Sequence, residues 1–216
     1  KLGIPILIGS ENRIREQLKK IGLDENFKIE IVNSTDKSKR DKYVKYLYKK
    51  LQRDGQLERD VDRLIRNDRI AWGSSMIACN DADAMVTGNI RHYAASIEKL
   101  KKVVEPRKGE EIFGMTMMVS KGKTILVADT NVKDFPSAER LANVSISCVR
   151  VARLFGFDPK VAFLSHSTFG KPVSKNTKHV RDAIELLKAK NVDFDFDGEM
   201  QPDVALNPIY QEVYPF

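Results

Sequence analysis

The segment LSHSTFGK, residues 164–171, places four hydrogen-bonding side chains in a row. An apolar run typical of a strand precedes them, and we expect a helix to begin near Pro172. Backbone N–H groups and hydroxyls at the amino end of a helix attract anions, because those N–H groups lack intrahelical partners and the helix dipole is positive there. The segment is therefore a candidate site for a phosphate or a thioester carbonyl, although an ordinary capped helix start explains it too. Its candidate binding residues are Ser165, Ser167, Thr168 and Gly170.

A second polar turn follows a short apolar run in DADAMVTGN, residues 81–89. We predict a strand over residues 84–86 that leads into Thr87, Gly88 and Asn89. Gly88 would let a ligand or a second stretch of backbone approach closely, and Asn89 is a residue type that caps helices. These three residues are further candidates for ligand binding, although a plain strand-to-helix turn fits the pattern equally well.

Carboxylates are closely spaced in DFDFDGEMQPDVALNP, residues 193–208. Their spacing does not match a calcium-binding loop. Alternation along a strand would send Asp193, Asp195 and Asp197 to one face and the two phenylalanines to the other. We therefore expect a solvated strand edge followed by a capped helix, and no metal site.

Cysteines and histidines provide no further candidate site. Cys79 and Cys148 lie far apart without metal-type spacing, which favours buried free thiols. The three histidines fall in separate segments with no pair at helix-facing spacing, which argues against zinc. The sequence also lacks a Gly-x-Gly-x-x-Gly fingerprint, a Walker-type lysine and a Gly-x-Ser-x-Gly elbow, so nicotinamide, nucleotide-hydrolysing and α/β-hydrolase chemistry lose support for this chain.

The net charge of +7 comes mostly from residues 37–69, which hold twelve Lys or Arg against six Asp or Glu. Tyr43, Val44, Leu47 and Leu51 would share one face of a helix there, and the lysines would lie elsewhere. We interpret the stretch as an amphipathic helix with a solvated basic face, and not as a nucleic-acid-binding module, because no recognition motif accompanies it. Some of the charge could instead attract an anionic ligand.

No apolar run reaches the length of about 18 residues that a membrane-spanning helix requires. The opening KLGIPILIGS, with Pro5 and Gly9 around a short apolar run, does not have the pattern of a secretory signal. We expect a cytoplasmic protein with no membrane partner.

Strand-length apolar runs alternate with helical segments along most of the chain, which predicts an α/β fold with mainly parallel sheets and flanking helices. The composition changes at residues 103–111, so we predict one α/β lobe over 1–109 and a second over 110–216. A hairpin is expected from residues 112–119 and 124–128. The remaining predicted strands are 4–9, 28–32, 161–164 and 193–196, and the predicted helices are 12–20, a basic stretch ending near 54, 57–66, 90–102, 136–155 and 173–190.

In this order and at these separations, the segments resemble the phosphate acetyl/butyryl-transferase family. That family carries a sequence similar to Ala-Asp-Gly-Leu-Val-x-Gly, matched at 82–88, and a strand and helix like those at 127–142. A Leu-Ser-x-Ser-Thr-Lys-Gly-Ser loop follows, and then Asp-Gly-Glu-Leu-Gln-x-Asp-Ala-Ala, matched from Asp197 to Ala205. The resemblance implies a phosphotransacetylase-like fold, related to isocitrate and isopropylmalate dehydrogenases, with two lobes and a cleft that binds acetyl-CoA or a similar acyl-CoA.

Within that family, Ala84, the run from Gly88 to Tyr93, Phe169 and Met200 look like the C-terminal part of hybrid NADP-dependent malic enzymes. That resemblance implies a domain that binds acetyl-CoA as a regulator, takes part in forming a homo-oligomer and transfers no acetyl group. NADP and a divalent metal are then expected only for the malic-enzyme part, which this chain does not contain. The alternative is an active phosphate acetyltransferase.

Two departures from the family pattern bear on catalysis. Phe169 and Lys171 stand where the family's loop has Lys and Ser, which removes a cation from the candidate anion site. The family's Ser-Arg-Gly motif lies nearer the C-terminal end of the fold, beyond Phe216. We expect the chain to be a fragment with both lobes incomplete, and we assign no catalytic residue.

Overall fold

The computed structural model describes residues 3–23, 29–130, 135–172 and 177–214, apart from the side chain of Gln211. The chain divides into two compact units, Lys1–Glu105 and Pro106–Phe216. Among the described residues, no helix combines the length and apolar character needed to cross a bilayer.

The first unit pairs two short parallel strands and surrounds them with helices. Strands β1 (Ile6–Ile8) and β2 (Glu30–Val32) pair in register, with Ile6 opposite Glu30. The helices are α1 (Glu11–Lys20), α2 (Lys37–Leu51), α3 (Glu58–Asn67), α4 (Arg69–Ala78) and α5 (Tyr93–Val103), and a 3-10 turn, Gln52–Asp54, follows α2.

The core of this unit lies between α2, α3 and α4. Tyr43 and Leu47 of α2 are fully buried, and the ring of Tyr43 meets that of Trp72 edge to face, with centroids 5.0 Å apart. Lys42 and Lys45 are exposed on the opposite side of α2. The predicted amphipathic helix is therefore confirmed, because one apolar stripe packs inward and the basic face meets solvent.

Asp68 connects three parts of this unit. One carboxylate oxygen accepts hydrogen bonds from the N–H groups of Ile70 and Ala71 and so caps α4. The other accepts from Arg91 at 2.7 Å and from Lys99 of α5. Burial alone would raise the pKa of Asp68, but these partners outweigh burial and lower it from 3.8 to about 2.

The strand predicted over 84–86 is not present, and α5 begins at Tyr93 instead of Ile90. A strand needs a neighbour for its backbone groups, and among the described residues of this unit β1 and β2 pair only with each other. Val86 is fully exposed instead. Asn89 does not cap α5, because His92 holds the N-cap position and makes no side-chain bond there.

The second unit begins with the predicted hairpin. Strands β3 (Met115–Ser120) and β4 (Lys123–Ala128) are antiparallel, and Lys121 and Gly122 join them with φ values of 49° and 76°. Positive φ at both turn residues is typical of a type I′ turn, whose twist matches that of paired strands. The hairpin prediction is confirmed.

Helices and a second parallel pair complete this unit. The elements are α6 (Ala138–Leu154), β5 (Val161–Leu164), α7 (Lys178–Lys190), β6 (Phe196–Met200), α8 (Pro202–Leu206) and α9 (Pro208–Gln211), with β5 and β6 parallel. Ala142, Phe163, Ala183 and Leu187 form the centre of the core. The predicted α/β character is confirmed, although each sheet among the described residues has only two strands.

The predicted start of the last strand in this unit is wrong. The last strand begins at Phe196 instead of Asp193, although Asp193 and Asp195 are exposed as the alternation predicted. Helix α7 is Lys178–Lys190, and residues 173–176 of the predicted helix lie outside the described residues.

Arg140 holds the start of the second unit together. Its guanidinium donates to Asp129 at 3.1 Å, to the carbonyl of Ile112 at 2.7 Å and to Glu111. The side chain of Asp129 is only 4% exposed, and it also accepts from the N–H of Gly114. The ion pair therefore joins α6, β4 and the segment that enters β3.

We expect Arg140→Met to lower the free energy of unfolding by about 3–5 kcal/mol, because Asp129 would keep its buried charge without a counter-ion. Urea unfolding at neutral pH measures the loss. The control is Arg150→Met, which breaks an exposed pair with Glu110 and should cost less than about 1 kcal/mol. Equal losses in the two variants would contradict the role of Arg140.

Asp68→Asn should keep the cap of α4 but lose both ion pairs. Because the folded pKa lies below the ordinary 3.8, this contribution to stability is present above that value and disappears as pH falls toward 2. At pH 7 we expect the variant to be about 1–3 kcal/mol less stable than the unsubstituted protein. Between pH 5 and pH 2 its free energy of unfolding should fall by less than that of the unsubstituted protein. Asp54→Asn, at an exposed position, should change neither quantity.

Candidate functional site

The 164–171 loop leaves the carboxyl end of β5 and folds back across β6. The N–H of Ser165 donates to the carbonyl of Met200 at 2.9 Å, which continues the strand pairing. Thr168 and Lys171 then exchange two backbone hydrogen bonds, at 2.9 and 3.0 Å. The N–H of Phe169 donates to the carbonyl of Glu199 at 2.7 Å. The loop is thus a tight turn fixed to the end of β6.

Phe169 and Gly170 form the tip of this turn, with φ values of 47° and 83°. Glycine adopts this left-handed region easily, whereas a side chain there costs about 1–2 kcal/mol. The ring of Phe169 lies 5.1 Å from that of Tyr214, centroid to centroid, at an interplanar angle of 60°. This ring contact offsets part of the backbone cost.

A buried carboxylate lies beneath the turn. Ser167 and Glu199 are both fully buried, and the Ser167 hydroxyl donates to Oε1 of Glu199 at 2.6 Å. Arg181 of α7 donates to the same oxygen at 2.9 Å and to the Thr177 hydroxyl at 3.0 Å. The Glu199 carboxylate of β6 therefore binds both the loop and α7.

Glu199 stays ionised in this environment. Burial alone would raise its pKa, but the hydrogen bonds from Ser167 and Thr177, the charge of Arg181 and the N–H of Gly170 together lower it below its ordinary value. A buried carboxylate with a lowered pKa is a weak base. It is suited to positioning the loop and not to removing a proton from a substrate.

The structure brings Ser165, Ser167, Thr168 and Gly170 together, but their side chains differ in accessibility. The Thr168 hydroxyl is buried and accepts from the N–H of Gln201 at 3.2 Å, and the Ser167 hydroxyl is bonded to Glu199. Ser165 is half-buried, with its hydroxyl 3.3 Å from that of Ser167. The exposed polar side chains of the loop are His166 and Lys171.

Thr87, Gly88 and Asn89 belong to the first unit, whereas the four loop candidates belong to the second. All three are exposed and lie outside any helix or strand. Gly88 has a φ of 110°, a conformation that side chains rarely adopt, so the glycine is required there by the backbone.

Metal or thiol chemistry finds no support in the described residues. They contain no group of three or more His, Cys, Asp or Glu placed to hold a metal ion. Cys79 and Cys148 are free thiols, as predicted, but they are half-buried instead of buried. Burial raises the pKa of the Cys148 thiol to about 11, so very little thiolate forms near neutral pH.

Sequence reasoning missed Glu199, Arg181 and Gln201 as parts of this site. Regular alternation would have put Glu199 on the same exposed face as Asp195 and Asp197. The pairing of β5 with β6 instead shifts between Phe163 and Leu164, where Gly198 and Met200 are the successive partners, so Glu199 turns inward. One feature of the sequence could have identified Glu199 and Gln201. The carboxyl ends of parallel strands meet at one edge of a sheet, which places residues 198–201 beside the loop.

Glu199→Gln should preserve the acceptor for Ser167 but remove the charge that pairs with Arg181. We expect a loss of about 1–3 kcal/mol in unfolding free energy at pH 7. Because the pKa of Glu199 is lowered, its contribution is present above the ordinary value of 4.5 and is lost as pH falls below it, so the variant should depend less on pH in that range. Urea titrations from pH 7 to pH 3 measure both effects.

Glu185→Gln is the matched control, because Glu185 lies on the exposed side of α7 and pairs only with Lys188 at 2.9 Å among the described residues. A Glu199→Gln protein as stable as this control would contradict the anchoring role.

Comparison with known proteins places these features in a family. The model of the phosphate acetyl/butaryl transferase family matches residues 1–214. Relatives include the NADP-dependent malic enzyme of Rhizobium meliloti (strain 1021), 41% identical over 217 residues, covering 100% of this chain and 28% of that protein. The NADP-dependent malic enzyme of Escherichia coli (strain K12) is 32% identical over 95% of this chain and 27% of its own length.

A phosphate acetyltransferase from Nitratidesulfovibrio vulgaris is 30% identical over 94% of this chain and 29% of its own length. The chain therefore spans less than a third of each of these three relatives. Those named malic enzymes are more similar to it than this acetyltransferase is.

Two solved structures of phosphotransacetylases have a fold similar to that of this chain. A phosphotransacetylase from Streptococcus pyogenes has a TM-score of 0.84 at 26% identity, with 98% of this chain and 64% of that chain covered. The EutD phosphotransacetylase from Staphylococcus aureus has a TM-score of 0.77 at 22% identity, with 98% and 65% covered. The expected phosphotransacetylase-like α/β fold is thus confirmed, and the chain belongs to the phosphate acetyl/butaryl transferase family.

Proposed function

We propose that this chain is an acetyl-CoA-binding regulatory and oligomerisation domain, phosphotransacetylase-like in fold, of an NADP-dependent malic enzyme. The observation that carries the proposal is the 164–171 loop, a tight hydrogen-bonded turn with an aromatic ring at its tip where a cation was expected. The names of the similar malic enzymes support the assignment to that kind of protein. Oxidative decarboxylation of malate to pyruvate, with NADP and a divalent metal, then belongs to the part of the protein outside this chain.

The loop suits an acyl-CoA thioester because it combines polar and apolar groups at one place. Ser165 offers a partly accessible hydroxyl, and His166 offers an exposed imidazole. The half-buried ring of Phe169 provides an apolar surface for an acyl or pantetheine group, and Gly170 allows close approach at the tip. Ligand sites commonly join an apolar wall to a few placed polar groups in this way.

The interior bonds of the loop favour binding without reorganisation. Ser167 and Thr168 use their hydroxyls within the protein, on Glu199 and on the Gln201 N–H, so the turn is set before a ligand arrives. A pre-organised loop loses less conformational entropy on binding. In the proposal, Ser165 and Gly170 contact acetyl-CoA, and Ser167 and Thr168 hold the loop in place.

A regulatory role is favoured over acetyl transfer by the chemistry of the loop. Glu199 has a lowered pKa and no exposed surface, and so it does not serve as a general base. Phe169 supplies no positive charge to stabilise a developing oxyanion or a bound phosphate. We place the protein in the cytoplasm, in keeping with an NADP-dependent malic enzyme.

The binding test is calorimetric titration of the full-length protein with acetyl-CoA. We expect Ser165→Ala to weaken binding about three- to tenfold without changing the melting temperature, because it removes one hydrogen bond to the ligand. Ser167→Ala and Thr168→Ala should lower the melting temperature as well as the affinity. Ser120→Ala, at the exposed end of β3, is the control and should change neither.

Unchanged affinity in all three loop variants would remove the acetyl-CoA site from this loop. A separate assay for acetyl phosphate, formed from acetyl-CoA and phosphate by the same protein, addresses the regulatory role. Rapid turnover there would contradict that role and favour a phosphate acetyltransferase. A change in malate-dependent NADP reduction on adding acetyl-CoA, with no acetyl phosphate formed, is the expected result.

A further inference from the structure

A polar cavity of about 550 Å³ lies in the first unit where β1 and β2 end. Gly9 and Ser10 line it from the end of β1, and Asn33, Ser34 and Thr35 line it from the end of β2. Ligands of open α/β sheets bind at the carboxyl ends of parallel strands, and small-molecule sites have volumes of roughly 300–1,000 Å³. The position and the size of the cavity both suit a small ligand.

Among the described residues, the charges around the cavity leave one cation without a counter-ion. Glu11 pairs with Arg15 at 2.8 Å, and Arg66 pairs with Asp62 at 2.8 Å. Asp68 has two cationic partners of its own, Arg91 and Lys99. Arg69, the first residue of α4, also lines the cavity.

No ion pair or hydrogen bond joins the Arg69 side chain to another described residue; its guanidinium carbon lies 4.0 Å from the Cβ position that a side chain at Gly9 would occupy. The wall therefore carries a positive charge that an anion would neutralise.

Unused hydrogen-bond donors add to this charge. Helix α1 begins at the cavity, and the side chain of its N-cap residue Ser10 makes no capping hydrogen bond, so it leaves the first N–H groups of the helix available. Trp72 also lines the cavity and is only 2% exposed. Its indole N–H is buried and has no hydrogen-bond partner in the described part of the chain. The nitrogen has almost no accessible surface, so an oxygen of a ligand would satisfy this otherwise unfavourable donor once the wall of the cavity shifts to expose it.

We propose that this cavity binds a small, hydroxyl-bearing phosphate ester, with its phosphate between Arg69 and the amino end of α1. A phosphate fits a guanidinium and a helix amino end better than a neutral group does, because both are donors that favour negative charge. The amides and hydroxyls of Asn33, Ser34 and Thr35 then meet the hydroxyl groups of the ester. This site is built from the first unit alone and goes beyond the acetyl-CoA function proposed for the loop of the second unit.

The test is titration of the full-length protein with glycerol 3-phosphate and with inorganic phosphate, at an ionic strength held constant with sodium chloride. Glycerol 3-phosphate should bind more tightly, because it adds hydroxyl contacts. Arg69→Gln should weaken binding of both about tenfold, as the loss of a charge-assisted hydrogen bond predicts. Arg63→Gln removes the same charge from an exposed position of α3 that does not line the cavity, and it should have no effect.

Trp72→Phe keeps an aromatic ring but removes the N–H, and it should weaken binding about threefold. If Arg69→Gln does not fold, Trp72→Phe provides the test instead. Equal effects of the Arg69 and Arg63 substitutions, the absence of saturable binding above the chloride background, or inorganic phosphate binding as tightly as the ester would overturn the proposal. Because neither titrant is acetyl-CoA and neither substitution touches the loop, failure here leaves the acetyl-CoA proposal standing.

Discussion

A carboxylate that is buried away from water needs hydrogen-bond donors and a counter-ion close to it. This requirement at Glu199 determines the structure around it. Desolvating a carboxylate costs several kcal/mol unless donors and a counter-ion replace the lost water. Ser167 therefore points inward, and Arg181 reaches across from α7 to the same oxygen. If the loop after β5 moved outward, Glu199 would lose the hydrogen bond from Ser167 and keep Arg181, so this bond favours one conformation of a segment rich in small polar residues.

The same arrangement recurs in both units. Asp68 brings the start of α4 together with Lys99 of α5, and Asp129 brings the end of β4 together with Arg140 of α6. In each case an almost fully buried carboxylate joins segments that are distant in the sequence. The sheets in the described part of the chain have two strands each and little capacity to organise it alone, since a pair of strands is only marginally stable. Ion pairs to a buried carboxylate supply connections that a wider sheet would otherwise provide.

Much of this architecture was predictable from local patterns. The apolar face of α2 around Tyr43 and Leu47 follows from helical spacing, and the β3–β4 hairpin follows from two apolar runs around Lys121 and Gly122. The strand predicted at 84–86 failed because an apolar run does not show whether a partner strand exists. The segment of the candidate site was identifiable, but which of its hydroxyls face inward was not, since that depends on the shift in pairing beside Gly198.

The turn at Phe169 and Gly170 has a consequence for how such a loop can diverge. Its backbone is set by hydrogen bonds between Thr168 and Lys171 and by the carbonyl of Glu199, none of which involves the side chain at position 169. Any ordinary side chain at that position meets a similar left-handed backbone cost, whether it is aromatic or basic. The side chain at position 169 can therefore differ between related proteins while the backbone of the turn keeps the same conformation. A substitution at this one position can therefore change the chemistry of the tip without requiring a new backbone conformation.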